Sequence, residues 1–191
     1  MSSDHIIFAG VDISSGRKPV TFAALDENMK ILALQKWTLS ECVDRLKEYK
    51  YILIAINPST EKSVEFKKLI AQAGFKQASR QSPRCWVETD SQQNYLALCQ
   101  HKLLSRRTLE GRIQRALILY DERLQIPDPM DFFEEITRHK LIQGILPLEN
   151  SYSSRELDAL MAAYVAWMYT HEPRQVDVLG NRVMLSNELE E

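Results

Sequence analysis

The chain has 191 residues, 45% of them apolar and 26% charged, with a net charge of −2. These values suit one compact domain with its own core and argue against a disordered or polybasic protein, so any nucleic-acid contact must come from local clustering of charge. The three cysteines, Cys42, Cys85 and Cys99, are odd in number and lack CxxC spacing, which argues against a disulfide framework or structural zinc site and for a reducing compartment.

Residues 5–13, His5-Ile6-Ile7-Phe8-Ala9-Gly10-Val11-Asp12-Ile13, are nearly all apolar without alternation, as in a strand buried on both faces. A loop over 14–19 leads to strands at Val20 to Leu25 and Ile31 to Trp37, joined by a turn at Asp26-Glu27-Asn28. Connections this short make the first three strands an antiparallel meander. Thr38 and Glu41 then form a capping box, with Cys42, Val43, Leu46 and Tyr49 at helical spacing. Tyr51 to Ile56 is a fourth strand, ended by Asn57-Pro58-Ser59. A helix from about Thr60 to Ala73 stops at Gly74, and Cys85 to Glu88 is a short fifth strand.

The remainder reads as helices over roughly 92–99, 109–123 and 130–143, with Pro127 and Pro129 separating two of them and Gly144 ending the last. Ser153 and Glu156 box the start of a final helix that runs to about Thr170, and Tyr152 is placed to staple onto Leu157. Val176 to Leu179 and Arg182 to Leu185 make a terminal hairpin around Gly180-Asn181. One domain is expected over 1–186, with 187–191 as a frayed acidic tail. The first residues carry no signal-peptide pattern, and the longest apolar run, Ala159 to Tyr169, is too short to span a bilayer, so a cytoplasmic location is expected.

Meandering strands followed by alternating strands and helices predict a mixed five-stranded α/β sheet, in the order 3-2-1-4-5, with helices on both faces. The carboxyl ends of strands one, four and five then share an edge, where ligands favour binding. Asp12, Asn57 and Glu88 sit at those three ends. Ala159, Ala162, Ala163 and Ala166 give the final helix a small-residue surface for close approach to the sheet, and Asp158 lies near its start. A carboxylate in an apolar segment is expensive unless paired, hydrogen-bonded or metal-bound. Two of them from opposite ends of a domain are what a Mg²⁺-dependent phosphodiester-cleaving site needs. Asp12 also reads as a turn residue, and Asp158 as a solvated first-turn acid.

Several segments, taken in order, resemble a known family. They are Gly10-Val11-Asp12, Arg84-Cys85-Trp86-Val87-Glu88-Thr89, Arg107-Thr108-Leu109-Glu110-Gly111-Arg112, Ile126-Pro127-Asp128-Pro129, Arg138-His139, Leu146-Pro147-Leu148-Glu149 and Glu156 through Tyr164. Together they resemble the prokaryotic family known as domain of unknown function 429, whose members are predicted nucleases with an RNase H-like fold. The resemblance implies a divalent-metal-dependent nuclease. Asp12, Glu88 and Asp158 would be its catalytic residues and, with Asn57 as a weak ligand, would hold Mg²⁺ or Mn²⁺ ions flanking the scissile phosphate. The chain departs from the family at Asn57, where members often carry an acid, and at Asp90-Ser91, where they often carry His-Pro. Either Asp90 compensates for Asn57, or the site has drifted toward a non-catalytic module that binds a partner or nucleic acid.

A nucleic-acid substrate needs cations. Lys102, Arg106, Arg107, Arg112 and Arg115 face only Glu110 within residues 101–120. Arg112 and Arg115 are three apart and share a helical face, leaving Leu109, Ile113, Leu117 and Tyr120 for the core; phosphate binding and plain solvation both fit that face. Phosphate-loop, dinucleotide, zinc-protease and nucleophile-elbow motifs are absent, and Cys85 has no obvious histidine partner.

Overall fold

In the computed structural model, which describes residues 6–13, 18–57, 61–78, 82–99, 101–144 and 151–186, the first apolar run forms β1 (Ile7–Asp12), buried throughout. β2 (Val20–Leu25) and β3 (Ile31–Trp37) complete the antiparallel meander. Asp26 closes the turn between them: its Oδ1 accepts from the backbone N–H of Asn28 and of Lys30, each at 2.9 Å.

α1 (Leu39–Leu46) opens on the expected capping box, with Thr38 N donating to Glu41 Oε2 at 2.8 Å and Glu41 N to Thr38 Oγ1 at 3.3 Å. β4 (Ile52–Asn57) returns parallel to β1, and α2 (Glu61–Gln72) crosses to β6 (Arg84–Glu88), parallel to β4. These crossovers cover one face of the sheet and the final helix covers the other, which is why β1 and β4 carry unbroken apolar runs.

The sheet differs from the expected five strands. Among the described residues it has eight, in the order β3-β2-β1-β4-β6-β8-β7, with β5 (Lys76–Gln77) pairing β6 off that path. The five expected strands lie side by side as β3-β2-β1-β4-β6. The sheet then continues because the terminal hairpin, β7 (Val176–Leu179) and β8 (Arg182–Leu185), docks β8 parallel to β6 at Glu88 and Arg182. Glu88 N donates to Asn181 O at 2.8 Å, Thr89 Oγ1 to Val183 O at 2.8 Å and Leu185 N to Asn94 Oδ1 at 2.9 Å. Docking buries Val183 and Leu185, which a free hairpin would leave in water.

α1 and α2 cover one face, over a core that includes Val11, Ile13, Phe22, Ile54, Ile56, Phe66 and Ile70. α6 (Ser154–His171) covers the other face, beside α3 (Ser91–Leu98) and α4 (Leu109–Asp121), with α5 (Pro129–Gln143) packed on α4. α6 lies so close to β1 that a Cβ on Gly10 would fall 1.9 Å from Ala159 O and 2.4 Å from Ala163 N. Glycine on the strand and alanine on the helix permit this contact. It brings the strand's last residue, Asp12, toward Asp158, the residue before Ala159. The expected tail 187–191 and the Leu146–Glu149 segment lie outside the described residues.

Candidate functional site

Successive strand side chains alternate between faces. Ile7, Ala9 and Val11 belong to the α1–α2 core and Phe8 to the α6 core, so Asp12 faces α6. Asn57 follows Leu53 and Ala55 onto the same face and is the register partner of Asp12 in β1–β4. Asn57 Nδ2 donates to Asp12 Oδ1 at 2.8 Å, and Asn57 Oδ1 accepts from Ser91 N at 3.0 Å. Ser91 Oγ in turn donates to Asp158 O at 2.7 Å. One chain of hydrogen bonds thus runs from the end of β1 through β4 and the start of α3 to α6. It joins three of the sequence candidates: Asp12, Asn57 and Asp158. It also orients the amide of Asn57, which presents its Nδ2 donor rather than its carbonyl oxygen to Asp12.

Glu88 is elsewhere. Cys85 and Val87 lie in the α6 core and Trp86 in the other, so Glu88 faces the α1–α2 side. There Lys67 Nζ, on α2, holds Glu88 Oε1 at 2.7 Å. Asp90 does not stand in for Asn57 either, because its Oδ1 caps α3 by accepting from Gln93 N at 3.2 Å. Among the described residues no group of three or more His, Cys, Asp or Glu side chains is placed to hold a metal.

Asp12 and Asp158 are both buried, and each meets an arginine. Arg155 Nε lies 3.7 Å from Asp12 Oδ2, and Arg106 Nη1 lies 2.9 Å from Asp158 Oδ2. Burial pushes the Asp12 carboxyl above its ordinary value, opposed by Asn57 and the two arginines. Burial, with the charge of Asp12 added, pushes Asp158 up to about 6, opposed by Arg106 and Arg115. The two carboxylates therefore sense one another across the β1–α6 contact. Asp158 Oδ1 and Arg155 Nη2 are buried without a hydrogen-bond partner among the described residues. Such atoms are costly in a stable core unless water or another group meets them, and Thr21 Oγ1, Arg112 Nε and Arg115 Nε are buried in the same way.

That donor set suits one hard cation. Mg²⁺ is commonly held by one or two carboxylates, keeping its remaining positions for water and substrate phosphate. The unpartnered Asp158 oxygen and the neighbouring Asp12 provide that pair. The set does not suit the multi-carboxylate, two-ion centre expected from the sequence, because Glu88 is on the other face and Asn57 turns its amide donor to Asp12.

The cationic candidates divide. Lys102, Arg106 and Arg107 are exposed on the loop before α4. Arg115 is only 1% exposed: Nη1 donates to Leu104 O at 2.9 Å and Gly111 O at 2.7 Å, Nη2 donates to Gln92 Oε1 at 3.0 Å, and the guanidinium lies over the Tyr95 ring. The expected outward face of α4 is therefore corrected at this residue. The helix buries Ile113, Arg115, Ala116 and Leu119, while Tyr120 is exposed. Arg112 is half-buried and lines a pocket of about 280 Å³ between α4 and α5. Burial pushes the Cys42 thiol up to about 12 and the Cys85 thiol up to about 11, so neither is an activated nucleophile.

Two site residues escaped the sequence reading. Arg155 precedes Asp158 by three on α6, a spacing that puts both on one face. Ser91 acts through its backbone and a short hydroxyl, which leave no pattern.

Two solved structures are similar in shape to this chain. The large terminase nuclease from thermophilic phage G20c shares 17% identity at a TM-score of 0.41, over 84% of this chain and 82% of that one. The large terminase nuclease domain of Thermus phage P74-26 shares 18% at 0.40, over 86% and 81%. Neither a family model nor a curated protein matches the chain. Likeness at this level carries neither fold family nor activity across to this chain.

Proposed function

We propose that the chain is an RNase H-like domain that hydrolyses phosphodiester bonds of nucleic acid with the help of one divalent cation, Mg²⁺ or Mn²⁺, held by Asp12 and Asp158. The observation that carries this reading is the buried pair itself. Two carboxylates converge from β1 and α6, one of them with an unpartnered buried oxygen. A bound cation at such a pair polarises a phosphoryl oxygen and lowers the pKa of its water.

The surrounding residues have assignable parts. Asn57 fixes the rotamer of Asp12, and Ser91 fixes Asn57 and the first turns of α6. Arg106, beside Asp158, and Arg107 and Lys102, exposed on the same loop, offer positive charge for the phosphate backbone. Among the described residues no helix is long and apolar enough to cross a membrane. A cytoplasmic nucleic acid is the proposed partner.

A second reading has its own support. Asn57 brings no charge and Glu88 is held by Lys67, so a site of this kind also suits a module that binds nucleic acid without cutting it. Incubation of the full chain with supercoiled plasmid DNA and with structured RNA, with and without Mn²⁺, separates the two. Cleavage that needs Mn²⁺ and disappears in Asp12→Asn supports the hydrolase. Binding of either nucleic acid without cleavage supports the module.

A further inference from the structure

Asp158 is 2% exposed, yet the Arg106 side chain that covers it is 55% exposed. The partners of this ion pair live in different environments. The carboxylate is fixed inside α6, whereas the guanidinium reaches in from a surface loop. The loop backbone is independently tied down. Ser154 Oγ donates to Arg106 O, Gln114 Oε1 accepts from Leu104 N at 2.7 Å, and buried Arg115 holds Leu104 O. Breaking the Arg106–Asp158 contact therefore requires only a side-chain rotation, which exposed residues make on fast timescales. The loop itself need not open.

A cation bound at the Asp12–Asp158 pair and the Arg106 guanidinium compete for one carboxylate. Arg106 Nη1 occupies Oδ2, and its charge sits where a second positive charge would be repelled. Arg155 is a weaker competitor, at 3.7 Å from Asp12 and further held by Pro19 O at 3.2 Å.

Resting on the single-cation reading above, we propose that Arg106 is an exchangeable counter-ion: it neutralises Asp158 when no metal is bound, and a divalent cation displaces it toward the phosphate backbone of the nucleic acid. The exchange gives the site a defined order. Metal entry releases a guanidinium, which forks onto a phosphate more effectively than onto a carboxylate already satisfied by the metal. It also keeps the buried pair compensated in the absence of metal, when two unpaired charges would be costly.

The consequence is a pair of effects of opposite sign from one substitution. Arg106→Ala removes a competitor of Asp158, so Mn²⁺ binding should tighten by about ten-fold, the worth of one charge-assisted hydrogen bond at its lower limit. The same change removes a phosphate contact, so affinity for a fluorescent DNA duplex should fall, and the slope of log affinity against log salt should lessen by about 0.9. Arg45→Ala, on exposed α1, makes the same change in net charge far from the site and is the control.

Calorimetric titration of the full chain with Mn²⁺ alone, then anisotropy with the duplex in Mn²⁺, reads both. Tighter metal and weaker, less salt-dependent duplex binding in Arg106→Ala, with neither in Arg45→Ala, supports the exchange. Wild-type metal binding that Arg106→Ala leaves unchanged or weakens overturns it and spares the metal site. Absence of Mn²⁺ binding in both wild type and Arg106→Ala overturns the exchange together with the metal site.

Discussion

Gly10→Ala is the sharpest structural perturbation available. The added methyl would sit 1.9 Å from Ala159 O and 2.4 Å from Ala163 N, both backbone atoms of α6. Ordinary contact begins near 3.4 Å, so α6 must move away from β1 by about 1.5 Å along that line. Overpacking of this kind costs about 3 kcal/mol when the obstacle is backbone rather than a yielding side chain. For a chain of this length that lowers the melting temperature by roughly 6–12 °C. Because the obstacle is the carbonyl and the amide, Ala159→Gly should not rescue it, whereas a side-chain clash would be rescued. The displaced helix also carries Asp158 away from Asp12, so Mn²⁺ binding should weaken even at temperatures where the variant is fully folded. Urea denaturation of wild type, Gly10→Ala and the double variant gives the stability difference. A Gly10→Ala protein as stable as wild type, or full rescue by Ala159→Gly, would refute the β1–α6 contact as the element that sets the site.

Three further outcomes are expected. Asp158 has a folded pKa of about 6, above its ordinary 3.8, so the folded protein holds this proton more tightly than the unfolded chain. Its contribution is fully present below the unfolded value and is lost as pH rises through about 6, amounting to about 3 kcal/mol. Wild type should therefore gain this contribution progressively from about pH 7 down to about pH 4, and Asp158→Asn should flatten that profile; a parallel profile in calorimetry contradicts it. Arg115→Met, which removes the hydrogen bonds to Leu104, Gly111 and Gln92, should cost about 3 kcal/mol, while Arg107→Ala on the exposed loop stays within about 0.5 kcal/mol by the same denaturation assay. Glu88→Gln should leave Mn²⁺ affinity unchanged in calorimetric titration, because Glu88 belongs to Lys67 on the opposite face; a large loss would place it at the metal after all.

Much of this architecture is legible in the sequence, for identifiable reasons. Apolar runs without alternation mark β1 and β4, two capping boxes mark the starts of α1 and α6, and the alanines of α6 foretell its close approach to the sheet. What is not legible has a physical cause in each case. β5 is two exposed polar residues, with no apolar period to detect. The docking of β8 depends on backbone bonds from Glu88 and on Thr89 and Asn94, none of which shows in a pattern. The face of Glu88 is hidden because a strand buried on both sides has no polar alternation to reveal its parity. Arg115 looks like a surface cation, yet Gly111, four residues earlier, is the sign of a buried helical face. A Cβ there would lie 2.0 Å from Ser105 O, so the face shared by residues 111 and 115 turns inward. The pairing of Asp12 with Asp158 follows from the order of elements, whereas the arginines that neutralise them emerge only from the fold.

The decisive measurement is a thermal melt of the full chain across a Mn²⁺ titration, with Asp12→Asn and Asp158→Asn alongside. A ligand that binds only the folded state raises the melting temperature, by about 2.7 kcal/mol of stabilisation at one hundred times its dissociation constant. A metal-dependent rise in wild type that both variants lose is the result expected of a cation shared by the two carboxylates. No rise in wild type at millimolar metal, or a rise that both variants keep, would contradict it.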